Sequence, residues 1–185
     1  MASTYTDLGL ELMFTGENSG TWGDKTNENL QLIQQALAGY EAVTVSGTGT
    51  TPLTITDATI SNGRNAVIKL TGTITGNITV TIPDTTEKTY TIINGTTGAF
   101  TVQFKTVSGT GFTFAAADKG TRLAYSDGTN VVDVNSLFTT INALTLPTTT
   151  GSSGDAIVTD GSGTLSFAQA GISTGKAIAM AIVFG

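Results

Sequence analysis

Hydrophobic and polar residues alternate with a period of two along most of this chain. Between residues 41 and 135 the alternation forms nine short runs, separated about every ten positions by turn-forming residues. This spacing is typical of an antiparallel β-sandwich or barrel-like domain. The predicted strands are EAVTVSG (41–47), TPLTITD (51–57), AVIKLTG (66–72), NITVTIP (77–83), KTYTIIN (88–94), FTVQFKT (100–106), GFTFAA (111–116), TRLAYSD (121–127) and NVVDVN (130–135). We therefore expect a mainly β fold whose β domain spans 41–134.

The same alternation predicts which side chains of these strands point inward. The expected inward positions are Ile68, Leu70, Ile78, Val80, Ile82, Tyr90 and Ile92, and most other aromatic residues, Tyr125 among them, share this parity. The intervening threonines are expected to face solvent, because a β-branched Thr fits the exposed side of a pleated sheet: Thr79, Thr81, Thr89 and Thr91.

Residues 24–40 form the one clear helical pattern. Asp24 or Thr26 is expected to cap its beginning, and Gly39 to end it. The apolar stripe consists of residues spaced three, four and three apart, with Leu32 and Ala36 widening it: Leu30, Ile33, Leu37 and Tyr40. Such a helix either packs on the chain's own sheet or forms a coiled-coil seam between copies, and two heptads do not fix the number of copies.

The first 23 residues lack a sustained period, although Leu8, Leu10, Leu12 and Phe14 alternate. This pattern suits a short strand or an extended arm laid on a neighbour. The one tryptophan, Trp22, either fills an end of the core or anchors a partner chain. We expect residues 1–40 to form an arm and a helix for anchoring and assembly, with Leu10, Leu12, Phe14 and Trp22 as partner anchors.

The C-terminal part begins with a connector at 135–154, whose first ten residues fit either a helical turn or a strand. An extended β tail is expected at 155–185, starting with a hairpin that turns at DGSG. In its last run, large apolar residues alternate with mostly Ala: Ile178, Met180, Ile182 and Phe184. Because a free apolar strand promotes aggregation, we expect other copies or another protein to shelter this run.

The composition argues against most kinds of catalytic, metal and nucleic-acid-binding site. The chain has no His and no Cys, which excludes ordinary zinc sites, Ser-His-Asp or Cys-His catalysis and disulfides. Its 8 basic residues are scattered against 14 acidic ones, so nucleic-acid binding is not expected, and no apolar run is long enough to span a membrane. With 38 Thr, 23 Gly and 12% charged residues, the chain resembles a structural β protein. We expect no enzyme activity, no cofactor and no metal.

Three weaker signals have structural interpretations. Asp84 and Glu87 form a carboxylate pair that is expected to be a charged hairpin tip. The DGTN (127–130) and DGS (160–162) stretches are expected to be Asx turns, since neither supplies the oxygens that calcium needs. Isolated lysines on strands commonly protect sheet edges, which is the role expected of Lys69, Lys88 and Lys105.

Several segments resemble virion proteins of tailed phages, especially marine and cyanobacterial ones. The stretch LGLELMFTGENSGTWGDKTNENLQLIQQALAGYEAVTV resembles the N-terminal module of tail-fibre or virion structural proteins. Further similar segments are NGRNAVIK (62–69), TIPD (81–84), SGTGF (108–112), AYSDGTNV (124–131) and the ending GISTGKAIAMAIVFG. The resemblance implies a homotrimer, because fibre-type proteins commonly are trimers, and a trimer would bury both the helix stripe and the last strand.

These observations lead to an expected structural role. The first hypothesis is a tail-fibre or appendage component on the virion exterior, made in the host cytoplasm, with itself and other tail or capsid proteins as partners. The alternative is a capsid decoration (cement) or head-fibre protein. A carbohydrate-binding or depolymerising spike is a third hypothesis, but such spikes usually need paired acids in a groove and a longer repeat region. Contact with the host surface has no supporting feature in the sequence.

Overall fold

The computed structural model describes residues 3–134, 140–141, 144–147, 149–169 and 182. The chain divides into two units, 1–135 and 136–185; the four-part division expected from the sequence stays a prediction. The strands are β1 (Thr4–Tyr5), β2 (Glu11–Leu12), β3 (Tyr40–Thr44), β4 (Gly47–Pro52), β5 (Val67–Ile82), β6 (Glu87–Thr97), β7 (Val102–Thr106), β8 (Gly111–Phe114), β9 (Thr121–Asp127), β10 (Val131–Asp133), β11 (Thr140–Ile141), β12 (Leu144–Thr145), β13 (Asp155–Thr159) and β14 (Leu165–Gln169). Helix α1 spans Trp22–Ala38, and a 3-10 turn spans Asn62–Arg64. The expected mainly β class with one helix is confirmed for the described residues.

The long strand β5 organises the first unit. Its first half pairs in parallel with β3 on one side and β6 on the other. Its second half pairs in parallel with β4 and β7. The chain therefore winds through three successive layers, β3–β4, the two halves of β5, and β6–β7, which stack in register.

Each layer bends between its two halves at a glycine with positive φ: Gly47, Gly72 or Gly98. At Gly72 (φ +106°) a Cβ would lie 2.4 Å from the carbonyl oxygen of Val45 in the layer before. Only glycine combines this backbone angle with such a close approach. The two strands predicted at 66–72 and 77–83 are thus one strand, because the bend at Gly72 changes direction without ending the ladders.

Antiparallel strands complete the sheets. Strand β9 pairs with β6, β10 with β9, and β8 with β7, all antiparallel. The Val131 N–H donates to the Thr110 carbonyl at 2.9 Å, which brings β10 beside the start of β8 and nearly closes a barrel-like sandwich. The expectation of an antiparallel domain is wrong for the four pairings of β5. Alternation fixes which face a side chain occupies but not the direction of the neighbouring strand.

The core lies between these layers and follows the predicted parity. All seven expected inward positions from Ile68 to Ile92 are buried, and Val102, Phe104 and Phe114 join them. Thr81 is a correction: it was expected to face solvent but is 6% exposed. It lies between Pro52 of β4 and Lys105 of β7, which cover it from both sides.

In the second unit, β13 and β14 form the predicted antiparallel hairpin around the DGSG turn. Strands β11 and β12 form a second antiparallel pair. Of the expected last strand, Ile178, Met180 and Phe184 lie outside the described residues. Ile182 is described: its backbone is helical, so a strand is the wrong expectation at that position, and its side chain is exposed.

Candidate assembly surface

Helix α1 docks on the β domain through a narrow polar and apolar face. Leu32 is its buried residue, 2% exposed. On the same side Asn29 exchanges two hydrogen bonds of 2.9 Å with the backbone of Glu11, and Gln35 accepts one from Ser61 N–H at 3.3 Å. The expected caps Asp24 and Thr26 are wrong, because the helix begins two residues earlier with Thr21 at its N-cap position; Gly39 ends it as predicted.

Arg64 fixes the helix to the rest of the unit, a role that no sequence pattern predicts. Its fully buried guanidinium donates to Leu8 O (2.7 Å), Gln35 Oε1 (3.0 Å), Thr59 O (2.6 Å) and Thr56 O (2.6 Å). Burial lowers the pKa of Arg64, while Asp57 opposes that shift. One side chain thus ties together the N-terminal arm, α1 and the loop at 54–60, and neutral carbonyls satisfy its charge.

Lys88 and Tyr90 of β6 hold the 3-10 turn and the residue that follows it through hydrogen bonds to backbone carbonyls. The Lys88 ammonium donates to the carbonyls of Arg64 and of Asn65, and it lies 4.3 Å from the centre of the Tyr90 ring. The Tyr90 hydroxyl donates to Gly63 O at 2.9 Å. Burial, with a smaller contribution from the nearby Arg64 charge, lowers the pKa of Lys88 to about 8. The expectation that Lys88 protects a sheet edge is therefore wrong, because β6 lies between β5 and β9. It is wrong for Lys69 and Lys105 as well, since β5 and β7 also have a paired strand on each side.

The predicted apolar stripe of α1 faces solvent in the single chain. Leu37 is 77% exposed, Leu30 57% and Tyr40 56%, and Ile33 is also exposed. Leu32, which was expected only to widen this stripe, lies on roughly the opposite side of the helix and is the residue that docks. The helix therefore packs on its own chain and still leaves the stripe uncovered. Contact of the stripe with another copy stays a prediction.

The N-terminal anchors are partly exposed as well. Leu12 and Phe14 are exposed, Leu10 is half-buried, and Trp22 is 65% exposed, so the tryptophan does not fill an end of this chain's core. Glu11 is the buried residue of β2, where it accepts hydrogen bonds from Ser3 (2.8 Å) and Asn18 (3.1 Å). These two hydrogen bonds, that from Asn18 foremost, lower the pKa of Glu11. The arm is thus held by polar contacts and presents its apolar side chains outward.

The outer face of the sheet carries a second apolar set that sequence reasoning missed. Leu123 and Tyr125 of β9 and Val132 of β10 are 40–44% exposed. Tyr125 was expected at a core position, which is wrong, because Ala124 and Ser126 occupy the buried parity of β9. The signal was available in TRLAYSD, where small side chains alternate with large ones.

A groove joins the helix to this outer face. Its lining includes Leu37 of α1, Val67 of β5, and Thr89 and Thr91 of β6, and its volume is about 450 Å³. Across the ladder Thr91 is paired with Leu123, and Thr89 with Tyr125. The exposed helix stripe therefore continues into the exposed sheet face.

Three aspartates serve loop geometry. Asp84 accepts hydrogen bonds from Ser108 N–H (3.0 Å) and Oγ–H (2.8 Å), and these bonds lower its pKa. Asp127 and Asp160 each accept backbone N–H bonds from residues two to four positions ahead, which confirms the predicted Asx turns. Within the described ranges no group of three or more potential metal ligands occurs. No described helix is long and apolar enough to cross a membrane.

Comparison of the chain with protein-family models, with curated proteins and with solved structures finds no match.

Proposed function

We propose that this chain is a non-enzymatic structural protein of a tailed-phage virion, which assembles with copies of itself, as a homotrimer, into a tail-fibre or appendage component. The observation that best supports self-assembly is the exposed apolar stripe of α1, formed by Leu30, Ile33 and Leu37 with Tyr40. The virion setting rests on the resemblance of the N-terminal and C-terminal segments to tailed-phage proteins.

The position of the stripe supports assembly over internal packing. The opposite face of α1 is already docked through Leu32, Asn29 and Gln35, so the helix cannot turn the stripe inward without breaking those contacts. Apolar surface left in water is unfavourable by roughly 25 cal/mol per Å². The three-four-three spacing provides knobs for a helix seam between copies.

The N-terminal arm supports an anchoring role. Leu12, Phe14 and Trp22 project apolar surface from a segment that Glu11 and Arg64 hold in place. Aromatic anchors presented by a rigid support are the usual centre of a protein–protein contact. In the proposed role they bind a neighbouring virion protein.

Immunogold electron microscopy of intact virions of the encoding phage tests the location. Antibodies against the purified chain are expected to label the tail or an appendage, and pre-absorption with the purified chain should abolish the label. Labelling confined to the capsid shell would instead favour the decoration or head-fibre alternative. A structural role would be contradicted if infected cells contain the chain but the virions purified from them show neither the label nor the chain.

A further inference from the structure

We infer that the contact between copies extends beyond α1 onto the outer face of the sheet, so that a second copy of this chain covers Leu123, Tyr125 and Val132. This inference rests on the self-assembly in the proposed function and names a surface that the helix seam alone does not include.

Register defines this surface, which we call the outer patch. Across neighbouring strands, Tyr40 lies beside Val67, Val67 beside Thr91, and Thr91 beside Leu123. One step along the ladder, Tyr125 lies between Thr89 and Val132. All of these residues share the parity that faces away from the buried Tyr90, Ile92 and Ala124. The outer patch, consisting of Tyr40, Val67, Thr89, Thr91, Leu123, Tyr125 and Val132, is therefore one continuous face.

The patch and the helix stripe adjoin. Leu37 lines the same groove as Val67, Thr89 and Thr91. Tyr40, which follows the helix after one residue, is both the end of the stripe and the first member of the patch. A copy seated on the helix stripe therefore reaches the sheet without leaving the apolar surface.

The exposed area suits a second copy. Seven large apolar side chains of the stripe and patch are 38–77% exposed. At roughly 150–250 Å² of surface for a large side chain, they expose on the order of 700 Å². This exceeds the roughly 300–600 Å² of the largest patch on a typical monomer and approaches the roughly 800 Å² that each partner buries in a stable interface.

The distribution of charge also favours the outer patch as the contact between copies. The chain carries a net charge of −6, so copies repel one another through most of their surfaces. The patch itself contains no acidic residue, although Glu87 and Asp127, paired across the ladder, flank it on the same face next to Thr89 and Tyr125. Two identical acidic chains meet at the least electrostatic cost on a face of this kind.

Light scattering of the full-length chain at several concentrations tests the inference with matched variants. Tyr125→Lys is expected to weaken self-association by about tenfold or more, as for loss of a central aromatic contact. Val107→Lys is the control, because Val107, which is 56% exposed, is an apolar residue outside the patch. It should leave the mass unchanged. The double variant Leu123→Thr with Val132→Thr removes apolar surface from the patch, and threonine is well suited to a strand. This variant should weaken self-association even if Tyr125→Lys folds poorly.

The outcomes separate this inference from the proposed function. Loss of mass in both patch variants but not in the control supports the outer patch as an interface. Patch variants that fold and keep the wild-type mass, while Leu30→Asp loses it, overturn the patch and leave assembly through α1 intact. Wild-type protein that stays monomeric at every concentration overturns both the patch and the self-assembly.

Discussion

Replacing Gly72 by alanine tests the stacking of parallel layers that organises the first unit. Gly72 has φ +106°, and a Cβ there would lie 2.4 Å from the Val45 carbonyl oxygen. Gly49 provides a matched control, because its φ is +107° and a Cβ there would meet nothing within 4 Å. Both variants place an alanine at nearly the same positive φ, and only Gly72→Ala adds a collision with the neighbouring layer.

The expected magnitudes follow from that difference. Backbone strain at this φ should lower the free energy of unfolding by about 1–3 kcal/mol in each variant. In Gly72→Ala the backbone must also move by about 1 Å to restore an ordinary contact, which disturbs the buried Val45 and its 2.8 Å hydrogen bond to Thr71 O. This displacement adds about 2 kcal/mol from the lost hydrogen bond and from overpacking.

Urea unfolding, followed by far-UV circular dichroism at one protein concentration, measures both variants. The free-energy differences come from the shifts in midpoint at a common m-value. Equal losses for Gly72→Ala and Gly49→Ala would refute the close approach of β5 to the layer before it, and with it the stacked arrangement of layers.

Three further predictions concern the support beneath the surface. Because the pKa of Lys88 is about 8 in the folded chain and near 10.4 when unfolded, the unfolded chain binds more protons between these values, so the free energy of unfolding should rise from pH 8 towards pH 10. The rise should be absent in Lys88→Met, and above pH 10 the raised pKa of Tyr90 should reverse the trend, as pH-dependent urea titrations would show. Ser126→Ala should stabilise the fold by about 0.5–1 kcal/mol, because it removes a buried hydroxyl without a hydrogen-bond partner; a loss of stability in chemical unfolding would contradict this. Leu32→Ala should destabilise the chain by about 2–4 kcal/mol, whereas Leu37→Ala should change the stability of a dilute monomer by less than about 0.5 kcal/mol; similar losses in thermal unfolding would contradict the assigned helix faces.

The sequence predicts the elements of this fold better than their arrangement. Alternation places Ile68, Ile78 and Val80 in the core, and the helical period places α1 within two residues of its observed ends. The relative direction of paired strands cannot be predicted in this way, because parallel and antiparallel strands share the same side-chain period. The continuous strand through Gly72 is also not predicted, because in the sequence the bend there resembles a turn between two strands.

The sequence pattern predicts the surface of the first unit less well than its core. The helix stripe is visible in the sequence, but which side of the helix docks depends on the contacts of Gln35 with Arg64 and of Asn29 with Glu11, which are distant in the chain. A buried guanidinium held by backbone carbonyls has no periodic signature. The outer patch was missed at Tyr125, since aromatic residues on strands are more often buried than exposed.

The mass of the purified full-length chain in solution tests the central claim, that exposed apolar faces drive assembly, most directly. Light scattering over a range of concentrations is expected to give three times the 18.9 kDa of one chain, and Leu30→Asp and Leu37→Asp should each reduce it alike. A mass of 18.9 kDa at every concentration would contradict self-assembly through the α1 stripe.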